Sequence, residues 1–352
     1  MSALSRREFL RRLAALAGGL MAGELLAGCA PAVSPTPAVA PTSASTPASA
    51  ATATVAPAAP TTAAATAPAT AAATATSAST TGSAYLAVAH GPQPAEITRR
   101  AIAALGGIER FVKAGADVII KPNICSASHS FEYAATTNPE VVATLVQLSR
   151  EAGAKRVRVM DQAFSGTSEA AYAISGIADA VKAVGGEMEI MAPMRFREVD
   201  IPKGKDLKRW SFYGAILDAD VVINVPIAKD HGDTILTLGG KNIMGTVDNR
   251  SAFHRNLGQR IADAYSRVMP ALTVIDAVRI LTAHGPTGGN LADVKLANTV
   301  VASADVVAAD SYATTNLFGL KPTDIGYITA MADMNIGTMD LSAVKVEEIQ
   351  VG

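Results

Sequence analysis

The stretch DVIIKPNI at residues 117–124 has the pattern that decides the fold of this chain. Its apolar, β-branched centre predicts a short buried strand, and polar residues follow directly at the carboxyl end of that strand. The same arrangement recurs along the chain, which predicts a sheet built of several such strands. The other predicted strands cover residues 85–89, 156–161, 220–225, 272–276 and 296–302.

Helical segments alternate with these strands. Pro139 favours the first turn of a helix that continues with an apolar period of about 3.6 residues and ends at Gly153. Further helices are predicted at residues 169–184 and 257–268, and another runs from a Ser303 cap toward Phe318. Residues 187–213 are less regular and predict either edge strands or a small subdomain. This alternation is typical of an α/β fold with a mainly parallel sheet, helices on both faces and Rossmann-like layers.

Residues 1–28 have the features of an export signal. Arg6 and Arg7 form the twin-arginine pair of the heptapeptide SRREFLR at residues 5–11. The apolar run after it is too short and too interrupted to span a bilayer, and it leads to LAGC, a cleavage pattern before a cysteine that receives lipid. We therefore expect export by the twin-arginine translocase, cleavage by lipoprotein signal peptidase, and a protein anchored to the membrane through Cys29, facing the periplasm or the exterior.

Residues 29–83 form a different kind of segment, almost wholly Ala, Thr, Pro and Ser after the cysteine, with no charged or aromatic side chain. Such a segment has little apolar surface to bury and cannot offset the entropy lost on ordering. It is therefore predicted to be a disordered linker. Residues 84–352 then form the α/β domain, and they are numerous enough for a large core.

Charge and cysteine content exclude several classes of function. The chain has 30 basic and 31 acidic residues, so no nucleic-acid partner is predicted. Its two cysteines are Cys29 and Cys125, and lipidation of the first leaves one thiol. One thiol cannot form an intramolecular disulfide, a thiolate zinc site or the ligand set of an iron–sulfur cluster.

Three common catalytic motifs are absent from the sequence. There is no GxxxxGK[ST] loop, so a nucleotide triphosphatase is not expected. No GxGxxG follows the first predicted strand, which argues against dinucleotide binding. The GxSxG elbow of serine hydrolases is missing as well.

Polar residues collect at the ends of the predicted strands. In an open α/β sheet, ligands bind beyond the carboxyl ends of the strands, so these residues converge on one edge if the sheet is parallel. They then line a single cleft. The candidates are Lys121, Asn123, Lys229, His231, Lys241, Asn242, Asp276, His284, Gly285 and Asp310.

The lysines of this set predict an anion site. Lys121, Lys229 and Lys241 would direct ammonium donors at a carboxylate or phosphate. The glycines of residues 238–245 would let backbone N–H groups approach the same anion. The plain alternative is that a lysine at a strand end is a solvated terminus. Further predicted substrate contacts are Asn123, Asn242 and Gly285.

The remaining candidates predict proton transfer or metal binding. His231 stands in a polar loop and would be the general acid or base, because the ordinary pKa of histidine lies near neutrality. Asp276 would orient it or bind a metal. His284 and Asp310 are candidate ligands for a divalent metal, although their spacing along the chain is irregular. Turn-capping aspartates and ordinary surface histidines are the alternative interpretation.

These motifs resemble, in order, those of the bacterial and archaeal family called domain of unknown function 362. The amino half of the resemblance consists of KPN at 121–123, TNPEVV at 137–142, EAGA at 151–154 and Asp161. The carboxyl half consists of Lys229-x-His231, KNIMG at 241–245, Asp276, the GPTG segment at 285–288 and AAD at 308–310. The resemblance implies an α/β fold and frequent association with ferredoxin-type iron–sulfur modules, without a settled activity. This chain lacks the cysteine clusters of those relatives.

Three functional hypotheses follow. The first is a lipid-anchored envelope enzyme whose cleft binds a small anionic substrate, with or without a divalent metal. The second is a non-catalytic ligand-binding or scaffold protein at the cell surface. The third is a redox subunit whose iron–sulfur cluster is supplied by a separate partner.

Overall fold

A computed structural model describes residues 85–352 of the chain. The predicted export signal, the lipidation site at Cys29 and the linker at residues 29–83 lie outside the described residues. Within residues 85–352, no helix combines the length and the apolar character that crossing a membrane requires.

Twelve strands are present in the described region. Ten of them form one mixed sheet, and β5 and β6 form a separate two-stranded sheet. In chain order they are β1 (Tyr85–His90), β2 (Asp117–Pro122), β3 (Arg156–Val159), β4 (Glu187–Met188), β5 (Phe196–Asp200), β6 (Arg209–Tyr213), β7 (Val221–Val225), β8 (Ile227–His231), β9 (Ile235–Thr237), β10 (Leu272–Leu281), β11 (Val294–Ser303) and β12 (Lys345–Gln350).

The main sheet has the order β12-β1-β11-β10-β7-β2-β3-β4, with β8 paired to β10 and β9 paired to β8. Strand β11 runs antiparallel to its neighbours β1 and β10. The other pairs along this path are parallel, which confirms the predicted mainly parallel sheet. Strands β1, β10, β7, β2 and β3 therefore all end at the same edge.

Helices cover both faces of the sheet, as predicted for an α/β fold. Strand β1 shows the division: Ala87 and Ala89 face one apolar core, and Leu86 and Val88 face the other. Helices α1 to α4 pack on the first face, and α7 to α9 pack on the second. The helices are α1 (Pro94–Ala104), α2 (Pro139–Glu151), α3 (Ser168–Ile174), α4 (Ile177–Ala183), α5 (Gly214–Asp218), α6 (Gly239–Asn242), α7 (Leu257–Val268), α8 (Val306–Phe318) and α9 (Gly326–Asp333).

Two helix predictions are corrected by the structure. The single helix predicted at 169–184 is broken into α3 and α4, because Gly176 has a φ of 75° and cannot continue a right-handed helix. Helix α8 is capped by Asp305, whose Oδ1 accepts from the N–H of Ala308 at 2.9 Å. The predicted cap, Ser303, is instead the last residue of β11.

Three segments near the predicted cleft are more regular than expected. Strand β10 continues to Leu281, so Asp276 lies inside the strand and not at its end. After Pro226 the chain continues as β8, which makes His231 a strand residue and not a loop residue. In place of the glycine-containing loop predicted at residues 238–245, the chain forms α6 and then a short 3₁₀ turn at Ile243–Thr246.

Candidate functional site

A cavity of about 500 Å³ lies beyond the carboxyl ends of β2 and β3. The end of β2 and the segments that follow β2 and β3 form part of its wall, and residues 229–237, α6, residues 244–254 and Pro286 complete it. Six of the predicted site residues meet there, which confirms that distant parts of the chain converge. Its lining comprises Lys121, Asn123, Ile124, Cys125, Asp161, Gln162, Phe164, Lys229, His231, Asp233, Thr237, Lys241, Asn242, Met244, Gly245, Asp248, Asn249, Arg250, Ser251, His254 and Pro286.

Lys121 is buried at the base of the cavity in an ion pair with Asp161. Its Nζ lies 2.7 Å from Oδ1 of Asp161, and it also donates to the Pro122 carbonyl at 2.8 Å and to Oδ1 of Asn242 at 3.1 Å. Burial lowers the pKa of this ammonium, and the Asp161 carboxylate opposes that change. All three of its N–H donors are occupied. Lys121 therefore adds positive charge to the cavity but has no free N–H donor for a ligand.

Lys229 is equally buried, but it has no carboxylate partner among the described residues. Its Nζ donates to the Ala135 carbonyl at 2.6 Å, the Pro286 carbonyl at 2.9 Å and Oδ1 of Asn123 at 3.1 Å. Burial lowers the pKa of this ammonium too. Three neutral acceptors therefore hold a cation whose charge is not cancelled locally.

Three asparagines connect Lys229 to the turn that begins α6. Asn123 Nδ2 donates to Oδ1 of Asn242 at 2.9 Å, and Asn242 Nδ2 donates to Oδ1 of Asn224 at 2.9 Å. Asn224 Nδ2 then donates to the Gly239 carbonyl at 2.9 Å. An ammonium can only donate and a carbonyl can only accept, so both ends of the chain fix the orientation of every amide. Asn123 and Asn242 thus line the cavity while using their polar atoms to position its wall.

Lys241 differs from the two buried lysines. It lines the cavity from α6, and its ammonium makes no hydrogen bond or ion pair with any residue in the described part of the chain. Burial lowers the pKa of Lys241 to about 8, and the positive charges of Lys229, Arg250 and Lys121 act in the same direction. This amine is the one that a ligand can contact directly.

His231 is held in one neutral form. Its Nδ1 accepts from the backbone N–H of Asp233 at 3.1 Å, so in the neutral ring the proton sits on Nε2. Burial lowers the pKa of His231 to about 4, with further lowering by Lys241 and Lys229. Because protonation of Nδ1 would break the bond to Asp233, His231 is suited to donate a hydrogen bond through Nε2. The predicted role of general base does not fit this tautomer.

Two glycines let the backbone approach neighbouring groups closely. A Cβ on Gly245 would overlap the Asp161 carboxylate and lie 2.7 Å from Nζ of Lys121. A Cβ on Gly285 would overlap the Asp230 carbonyl, while its N–H donates to Oδ2 of Asp230 at 2.7 Å. Gly285 was predicted to contact substrate, but the cavity wall at this point is formed by the carbonyl of the next residue, which accepts from Lys229.

Asp276 does not belong to the cavity, and its predicted catalytic role is not supported by the geometry. Its Oδ2 accepts from the N–H of Asn138 at 2.6 Å, and its Oδ1 accepts from the N–H of Val278 at 3.0 Å. Burial raises the pKa of Asp276 to about 6. The carboxylate joins β10 to the start of α2 and has no contact with His231.

The predicted metal pair is separated in the structure. Asp310 is fully buried, and its two oxygens accept from the N–H groups of Gly239 at 2.7 Å and Gly240 at 2.8 Å. His284 is exposed and forms a 2.8 Å contact with Asp293 through Nδ1. Within residues 85–352, no group of three or more His, Cys, Asp or Glu side chains is arranged to hold a metal ion. The metal prediction is therefore wrong for this pair.

Sequence reasoning did not assign a role to several cavity residues. Thr237 is 2% exposed and Gln162 is half-buried, and the side-chain oxygens of both lack a hydrogen-bond partner in the described region. Arg250 uses two N–H groups on the carbonyls of Gln162 and Ala163, at 3.0 and 2.9 Å. The sequence does contain one sign of this hydrogen-bond network. Asn224 is a lone amide inside a buried apolar strand, and a buried amide predicts a specific hydrogen-bond partner.

The sequence profile described as domain of unknown function (DUF362) matches residues 118–315, which include every residue of the cavity wall. The chain belongs to the DUF362 family. A thylakoid-associated protein of Synechocystis sp. is 28% identical to this DUF362 protein over 247 residues, which are 66% of this chain and 72% of the relative.

Two solved structures are also similar to parts of the DUF362 protein. The lactate racemase apoprotein from Thermoanaerobacterium thermosaccharolyticum superposes with a TM-score of 0.42 and 11% identity, covering 62% of this chain and 54% of that one. A protein from Thermotoga maritima superposes with a TM-score of 0.30 and 16% identity, covering 53% of this chain and 51% of that one. The chain thus spans about half the length of each solved structure.

Proposed function

We propose that the cavity binds a small anion with a carboxylate or phosphate group and that the protein acts on this anion as an enzyme. One observation carries the proposal: the Lys241 ammonium faces the cavity without an acceptor among the described residues. A bound anion would supply the missing acceptor. Uncompensated ammonium groups are costly to bury, so a site that concentrates them is suited to a negatively charged ligand.

The charges around Lys241 support the same conclusion. Neither Lys229 nor Arg250 forms an ion pair with a described carboxylate, and Asp161 is already paired with Lys121. Two further carboxylates line the cavity, those of Asp233 and Asp248, and both belong to exposed residues. The deep part of the cavity is therefore positive.

The neutral side chains of the cavity favour a ligand with further polar groups. His231 offers an N–H donor from Nε2, and Thr237 offers a hydroxyl that has no partner within residues 85–352. Gln162 adds an amide oxygen without a partner in the same region. A substrate that places an oxygen near the first two and a donor near the third would satisfy all three groups.

Binding of simple anions tests the first part of the proposal. Inorganic phosphate or acetate should raise the melting temperature of the wild-type protein, and calorimetry should give a dissociation constant. Lys241→Met should weaken this binding at least tenfold. A tenfold change in the dissociation constant corresponds to about 1.4 kcal/mol, which is less than a good charge-assisted hydrogen bond contributes. Lys203→Met, which changes an exposed lysine outside the cavity, serves as the matched control.

The pH dependence of binding gives an independent check. Because the pKa of Lys241 is lowered to about 8, anion affinity should fall as the pH rises through that value. Equal affinity in wild type and Lys241→Met, or no stabilisation by either anion, would contradict anion binding at this site. Enzyme action requires in addition that the bound anion is converted to a product. If NMR shows that the bound anion persists unchanged, the protein is better described as a ligand-binding protein.

We further propose that the protein is exported and lipid-anchored, as its amino-terminal sequence predicts. The support is the SRREFLR motif with Arg6 and Arg7, followed by LAGC ending at Cys29. Replacing both arginines with lysine should retain the protein in the cytoplasm, and Cys29→Ala should remove it from the membrane fraction. Membrane recovery of the Cys29→Ala variant would refute the lipid anchor.

A further inference from the structure

We propose that Lys241 is a nucleophile that forms an imine with a small carbonyl-bearing anion, such as a 2-oxo acid, in the cavity. This inference rests on the proposed anion site and names its substrate class. It is carried by the contrast between three lysine amines that share one cavity and differ in what they contact.

The two buried lysines cannot act as nucleophiles without losing contacts. Lys121 has three acceptors within 3.1 Å, one of them the Asp161 carboxylate. Lys229 also has three acceptors within 3.1 Å. Every N–H of these ammonium groups is in use, so deprotonation would leave a buried acceptor without its donor.

Lys241 has the opposite environment. Its Nζ has no acceptor in the described region, so losing a proton breaks no hydrogen bond there. Burial disfavours its ammonium form, the positive charges of Lys229 and Arg250 act in the same direction, and the pKa of Lys241 is lowered to about 8. An amine made nucleophilic by burial and neighbouring cations is the arrangement that imine-forming enzymes use.

The cavity provides contacts for both ends of the proposed substrate. The carboxylate can pair with Arg250, only two of whose N–H groups have described acceptors, while the carbonyl carbon faces Lys241. Thr237 lines the cavity and is 2% exposed, and its hydroxyl has no partner among the residues described. This unpartnered hydroxyl and the Nε2–H of His231 are available to bind the carbonyl oxygen.

The proposed step is balanced without a redox partner. The lone pair of Lys241 Nζ attacks the carbonyl carbon, and the C=O electrons move to oxygen, which gains the proton that nitrogen loses. The resulting carbinolamine then loses its hydroxyl together with the remaining proton on nitrogen, which leave as water, and a C=N bond remains. A hydride donor added from outside would reduce this bond and make the attachment permanent.

Reductive trapping tests the inference directly. Glyoxylate with sodium cyanoborohydride should attach one carboxymethyl group to Lys241, identified by peptide mass mapping. Near pH 7.5 the unprotonated fraction of an amine with a pKa of about 8 is about 200-fold larger than that of an ordinary lysine, whose pKa is about 10.4. Lys241 should therefore be labelled far faster than the exposed Lys203.

Two further measurements keep the inference separate from the proposed function. Lys241→Arg retains a cation but no primary amine, so phosphate should still stabilise it while trapping is lost. Phosphate binding to the wild type without preferential labelling of Lys241 would overturn the inference and leave anion binding intact. Absence of both would overturn both. If the arginine variant fails to fold, peptide mapping of the wild type still decides, since it needs no substitution.

Discussion

Lys241→Met should stabilise the folded protein at neutral pH, although it removes the proposed ligand contact. Methionine has a side chain of similar length without a charge, so the apolar stem stays in place. In the folded protein the pKa of Lys241 is lowered from 10.5 to about 8. At about 1.4 kcal/mol per pKa unit, keeping this lysine charged at pH 7 costs about 3 kcal/mol.

The sign of this effect depends on pH in a defined way. A lysine with a lowered folded pKa destabilises the protein below that pKa, and the cost is relieved as the pH rises from about 8 to about 10.5. The gain from Lys241→Met should therefore shrink from about 3 kcal/mol at neutral pH to about 1.5 kcal/mol near pH 9.5. Above the unfolded pKa the gain should vanish.

Chemical denaturation at several pH values measures this difference. Wild type and Lys241→Met are unfolded in urea from neutral to alkaline pH, with Lys203→Met as the exposed control. The change in the free energy of unfolding between variant and wild type, and not either value alone, carries the prediction, since other groups titrate in both proteins. If Lys241→Met lost the same amount of stability at every pH, the Lys241 side chain would be stabilising through its packing, and its charge would not be destabilising the folded protein.

Four other substitutions test the cavity and the structure that supports it. Gly245→Ala should cost about 3–5 kcal/mol in urea unfolding, because its Cβ overlaps the Asp161 carboxylate and breaks a buried ion pair. Gly326→Ala, where no atom lies within 4 Å of the added Cβ, should be nearly neutral. Asp310→Asn should cost about 1–3 kcal/mol at pH 4 by leaving a glycine N–H without an acceptor. Burial raises the pKa of Asp310 to about 7. The wild type should therefore lose stability relative to Asp310→Asn as the pH rises from about 4 through 7. A difference in the free energy of unfolding that stays the same over this range would refute the raised pKa. Asp305→Ala removes the α8 cap and should lower the melting temperature by the equivalent of about 1–2 kcal/mol, whereas an unchanged melting temperature would show that the cap contributes nothing.

The strands and the convergence of the site could be predicted because both depend on local patterns. The stretch at 117–124 has an apolar strand followed by polar residues, and the structure shows β2 ending at Pro122 with Lys121 facing the cavity. Parallel pairing then brings the ends of β2 and β3 to one edge, as the fold class requires. The same logic correctly brought Lys229 and Lys241 beside Lys121.

The errors arise where tertiary contacts extend or reassign a segment. Asp276 was placed at a strand end, but pairing with β11 carries β10 five residues further and leaves the carboxylate inside the sheet. Asp310 was assigned to a metal because the sequence shows that a carboxylate is present but does not show which N–H groups donate hydrogen bonds to it. Its partners, Gly239 and Gly240, lie about seventy residues away in the chain.

The tautomer of His231 illustrates a further limit. From the sequence, this side chain was given the ordinary pKa of histidine, which made it a candidate general acid or base. The structure shows burial, two nearby ammonium groups and a backbone N–H directed at Nδ1, all of which favour a neutral ring. None of these three features can be predicted from the amino-acid sequence around His231.

The direction of β1 has a practical consequence for how the protein can be handled. Tyr85 begins this strand at the edge of the sheet opposite to the cavity, whereas β12, parallel to β1, ends at Gln350 on the cavity's own edge. A capture tag joined directly before Tyr85 would therefore lie at the edge of the sheet away from the cavity. A bulky fusion joined after Gly352 would instead emerge at the same edge of the sheet as the cavity.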